Sequence, residues 1–154
     1  MRFLKNLFLT SEERHITRVV AETGSTAAIA VVRSVPMEGL VERRQFERMD
    51  DRIVASTAIV KGKAKGQTAA MDVSLAAFDT AIELLGTAGR NLTAADRRGV
   101  KDGESYLIVW AAGSRSSRLF VRWPVNNELV RQVLDTLLPK RRPTPDSPSQ
   151  ALRG

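Results

Sequence analysis

The sequence predicts an α+β fold: an antiparallel sheet of about four strands with two or three helices packed on one face. Three observations lead there. Short apolar runs rich in β-branched residues recur at strand length. Three segments carry apolar residues at helical spacing. The C-terminal third reads strand, strand, helix, the order that packs one helix across an antiparallel pair.

Taken in order, Thr10-Ser-Glu-Glu13 has the form of a capping box. Ile16, Val19, Val20 and Thr23 follow at helical spacing, and Gly24 suits the C′ position. A strand over His15 to Ala21 is the competing reading, because the segment is rich in β-branched residues. Ala27 to Val35 is short, apolar and ended by Pro36, and reads as a strand. Leu40 to Met49 mixes Glu42, Arg43, Arg44, Glu47 and Arg48 with Val41, Phe46 and Met49, and is ambiguous. Asp50-Asp51 suits a turn. Arg52 to Val60 reads as another strand.

Lys61-Gly-Lys-Ala-Lys-Gly-Gln67 is a basic loop. Ser74 caps a helix whose Leu75, Phe78, Ile82 and Leu85 share one face, with Gly86 closing it. Ser105 to Ala111 and Ser117 to Trp123 form a hairpin joined by a medium loop. If Arg122 lies on its solvent face, Arg118 lies there too, while Leu119, Val121 and Trp123 face the helix. Asn126 or Asn127 caps the last helix, whose Leu129, Val130, Val133, Leu134, Leu137 and Leu138 make a single stripe.

The chain has 154 residues, enough for one domain with a sizeable core. The domain is expected over residues 1–139, followed at 140–154 by a disordered basic tail whose prolines and low apolar content prevent ordering. Aromatic residues make up only 5%, so the core must be mostly Val, Leu, Ile and Ala. Cysteine is absent, which excludes disulfides, thiolate catalysis and cysteine-ligated metals.

Net charge is +7, which favours acidic partners. The tail holds four cations against one anion, so three of those charges belong to it and four to the body. Met1 to Leu9 lacks the unbroken apolar run of a secretory signal. No stretch approaches the length of a membrane span. A cytoplasmic protein is the expectation.

No motif assigns a reaction. His15 is the only histidine and reads as a surface residue. Gly62 to Thr68 follows a strand, but its glycines are too close and Gln67 stands where a P-loop has lysine. No cofactor or metal is implied. Trp110 and Trp123 read as core or core-edge residues rather than nucleobase platforms.

The candidate binding residues are Lys61, Lys63 and Lys65 in one loop and Arg115 and Arg118 in the hairpin. No acidic residue lies between Lys61 and Ala70 or between Ala111 and Asn127. Unopposed charges of this kind set the field a partner feels. The expected function is a non-enzymatic interaction module for an acidic macromolecular surface, with a protein as the favoured partner. A protein that contacts nucleic-acid phosphates without reading bases is the alternative. An open sheet also leaves edges that could pair with a second copy, as a homo-oligomer, or with an extended peptide.

Overall fold

A computed structural model describes residues 2–62, 72–91, 103–112 and 115–138. The order of elements is α1 (Arg2–Thr23), β1 (Ala27–Val35), a 3-10 turn (Pro36–Glu38), β2 (Leu40–Arg48), β3 (Ile53–Lys61), α2 (Leu75–Asn91), β4 (Ser105–Ala112), β5 (Arg115–Arg122) and α3 (Glu128–Leu137). The five strands form one antiparallel sheet in the order β3-β2-β1-β4-β5. The fold is α+β.

β1 is the central strand, and its sequence shows why the sheet is covered on both sides. Ala27, Ile29 and Val31 project to one face, and Ala28 and Ala30 to the other; all are buried. A near-continuous apolar run is what a strand buried on both faces requires. The larger set meets α2 and α3 together with Phe46, Ile108, Leu119 and Val121. The alanines meet α1, where Ile16 packs against Ala28, Ala30, Val109 and Ala111. Placing all the helices on one face is therefore corrected: α1 lies across the opposite face, over residues small enough to let it approach.

Several local signals act as the sequence predicts. The Ala77 amide donates to Ser74 Oγ at 3.1 Å, and the Val130 amide donates to Asn127 Oδ1 at 3.2 Å, so α2 and α3 start at side-chain caps. Val130, Val133, Leu134 and Leu137 of α3 are buried against Phe78, Ala81, Leu85 and Ala88 of α2. Gly24 follows α1 with a φ of 72°, a left-handed conformation in which a side chain would be strained.

Others differ. α1 is continuous from Arg2, so Thr10 to Glu13 lies inside the helix rather than at its cap. Glu12 and Glu13 serve as ion-pair partners for the sheet instead. α2 runs through Gly86 to Asn91. The ambiguous charged segment is β2, a fifth strand. Trp123 does not face a helix; it is 54% exposed beyond the end of β5, whereas Trp110 is buried. The 140–154 tail lies outside the described residues. Among those described, no helix is long and apolar enough to cross a membrane.

Candidate functional site

The two edges of the sheet are built differently. On β5, Ser116 donates to Glu13 Oε2 at 3.3 Å and Arg118 forms an ion pair with Glu13, tying that edge to α1. The Arg122 guanidinium lies 5.6 Å from the centre of the Phe120 ring.

Among the described residues β3 has no such cover. Only Ile53 is partly shielded, and every residue from Val54 to Lys61 is exposed, on both faces of the sheet. Val54, Ile59 and Val60 are 37%, 39% and 52% exposed. Nothing from Ile53 to Val60 is charged, and Arg52 and Lys61 stand at the two ends. A register shift at Val41/Glu42 disturbs the pairing only near the last residues. Natural edge strands are ordinarily blunted by charges, proline or a covering element. Among the described residues β3 has only the terminal irregularity.

Past the end of β3 the apolar exposure continues. The tight approach of Gly62 to the Gly39 backbone holds the strand end against the β1–β2 connection. That connection carries Met37, 83% exposed. Met37, Val35, Gly103, Glu104, Tyr106 and Trp123 line an open depression at this end of the sheet.

Beneath it lies a polar network on the α2/α3 face. Arg33 donates to Glu104 at 2.8 and 3.2 Å and to Glu42 at 3.1 Å, and the Tyr106 hydroxyl donates to Glu104 at 2.7 Å. Burial pulls the Arg33 guanidinium down, but the carboxylates of Glu104 and Glu42 outweigh it and hold it above its ordinary value. Burial, and then the hydrogen bond and charge of Glu104, push Tyr106 up to about 12.

The sequence-predicted residues are dispersed. Lys61 ends β3 and is exposed, Lys63 and Lys65 lie outside the described residues, Arg115 heads β5, and Arg118 is engaged by Glu13. Strand register fixes the distance between the two groups. Lys61 sits opposite Val41, which faces Ser34, then Ser105, then Arg122 at the far end of β5. Arg115 belongs to the other terminal row, with Ala112, Ala27, Arg48 and Ile53. Lys61 and Arg115 stand at diagonally opposite corners of a sheet roughly 19 Å across.

His15, predicted as a surface residue, is half-buried with Nε2 2.9 Å from Gln45 Oε1. Among the described residues no cluster of three or more histidines or carboxylates could hold a metal ion. The bare β3 edge escaped sequence reasoning because edge position is a property of topology; its signal was the uncharged run between Arg52 and Lys61. No protein-family model matches the chain, and neither a characterised protein nor a solved structure is significantly similar to it.

Proposed function

We propose that this chain is a non-enzymatic protein-binding module that takes an extended segment of an acidic partner as a sixth strand along β3. The observation that carries this reading is the double exposure of an uncharged, β-branched edge strand. Its free backbone groups supply affinity to any added strand, and alternate side chains supply specificity. The acidic character of the partner follows from the ends of the edge, where Arg52 and Lys61 are exposed and Lys63 and Lys65 follow in sequence. Met37, exposed in the β1–β2 connection near the Lys61 end, offers a large apolar anchor of the kind that dominates interface energetics.

The test begins with capture of partners by the full chain, with and without nuclease. The captured protein is then added to purified chain while amide hydrogen exchange is followed. Protection is expected over residues 54–60. The double variant Ser56→Glu, Ala58→Glu should keep its melting temperature within a few degrees, because both sites are exposed, and should lose the partner. Replacing Lys61, Lys63 and Lys65 with Gln should weaken binding and flatten its salt dependence. Protection elsewhere, or unimpaired binding by the double variant, would overturn the reading. Nuclease-sensitive capture with a steep salt slope would favour the phosphate-contacting alternative. A stable dimer lost in the double variant would assign the edge to a second copy.

A further inference from the structure

Arg44 stands apart from the other described arginines of the sheet. It lies on β2 facing α2 and α3, between Val31 of β1 and Thr57 of β3, and is only 7% exposed. Its Nε has no hydrogen-bond partner, and no ion pair forms on it among the described residues. The neighbouring carboxylate is committed elsewhere: Glu42 closes on Arg33. Burial, together with the like charge of Arg33, lowers the Arg44 guanidinium from its ordinary value, and Glu42 offsets only part of this. A buried polar group without a partner is costly, and a buried charge more so. Such a group calls for an explanation, and a bound ion is one.

We propose that Arg44 is a binding site for one carboxylate group, taken from a small organic acid. The chemistry selects the class. A guanidinium presents a planar fork of N–H donors that a carboxylate meets with two parallel hydrogen bonds. The exposed Thr57 is the directly opposed residue on β3, with its Cβ about 5 Å from that of Arg44, close enough for its hydroxyl to act as a second donor. Arg33, Arg44, Glu42 and Glu104 together are formally neutral. A monoanion therefore adds one negative charge beside Glu42, whereas a phosphate dianion would add two. The slight exposure of Arg44 suits one small group rather than a polymer.

The experiment uses the full chain with sodium acetate or formate as probes, against sodium chloride at equal ionic strength and with inorganic phosphate as a separate arm. Binding is read by thermal unfolding and by line broadening of carbon-13 formate. A saturable rise in melting temperature with acetate or formate, weaker with phosphate and absent with chloride, is expected. Arg44→Met should abolish it while melting no lower than the parent in the absence of probe, because the unpartnered guanidinium is gone. Arg44→Lys keeps the charge but not the fork, and should weaken binding by about tenfold or more. Equal behaviour in acetate, formate and chloride would overturn the proposal, as would an undiminished response in Arg44→Met. If Arg44→Met fails to fold, the Arg44→Lys titration and the formate signal on the parent decide. A partner's own carboxylate would be the source instead if Arg44→Met lost the β3 partner and the parent ignored both probes.

Discussion

Leu134→Ala tests the position of the core directly. Leu134 lies in the middle of the apolar stripe of α3 and is 8% exposed within the cluster formed with α2 and the sheet. The substitution removes three carbon atoms, worth ~0.8 kcal/mol each as buried methylenes, or ~2.4 kcal/mol in transfer alone. A residual cavity adds to this, and buried Leu→Ala changes cost about 2–5 kcal/mol in all. Here the site is close to the end of α3, where the partly buried Leu138 can move inward, so the expected loss is about 2.5–3.5 kcal/mol. For a domain of this size that lowers the melting temperature by roughly 6–12 °C. Urea unfolding measures the loss, with an unchanged slope confirming that only stability has moved. Leu129→Ala, at a partly buried stripe position, is the internal comparison and should cost only about 1 kcal/mol. A Leu134→Ala loss below about 0.5 kcal/mol would place the change in the range of surface substitutions. It would refute the packing of α3 described above.

Two further predictions concern the polar contacts. Tyr106 should ionise about two units above a free tyrosine, at about pH 12, in a spectrophotometric titration. Because its folded-state pKa is raised, the stability it contributes is intact below pH 10 and is lost as pH rises through 12; Tyr106→Phe should flatten that fall. Replacing Glu12 and Glu13 together with Gln removes the ion pairs to Arg43 and Arg118. It should cost roughly 1–3 kcal/mol, since the groups are only partly buried, and speed hydrogen exchange in α1 while leaving α2 and α3 protected.

The legible parts of the fold are those whose signals are local. Ser74 and Asn127 cap helices within three residues of themselves, and the α3 stripe repeats at the helical period. β2 was illegible for the opposite reason. Its charges are satisfied at long range: Glu42 by Arg33, Arg43 by Glu12 of α1, and Arg48 by Asp79 of α2. Without those partners the segment has neither a clean alternation nor an apolar face. The placement of α1 was hidden similarly, although the two-sided apolar composition of β1 already implied cover on both faces. Of the candidate site, Lys61 was legible from local charge. The missing partner of Arg44 was not, because Glu42 and Glu47 flank it in sequence and only the ladder shows that Glu42 belongs to Arg33.

The contrast between the two sheet edges bears most on function. β5 carries Arg115, Arg118 and Arg122 along its length and is tied to α1 through Glu13. Charged side chains and a covering element are how sheets avoid edge-to-edge association. β3 has the reverse composition: eight uncharged residues, Ile-Val-Ala-Ser-Thr-Ala-Ile-Val, open on both faces after the first. Such a segment is an association hazard unless something pairs with it. The two explanations separate on one pair of substitutions. If β3 is merely undefended, Ser56→Glu with Ala58→Glu should reduce aggregation and change nothing else. If its composition is suited to strand addition, the same variant should also lose the captured partner and its protection of residues 54–60. The second outcome would assign β3 a role in recognition that core packing does not explain, since its side chains contribute little to the core.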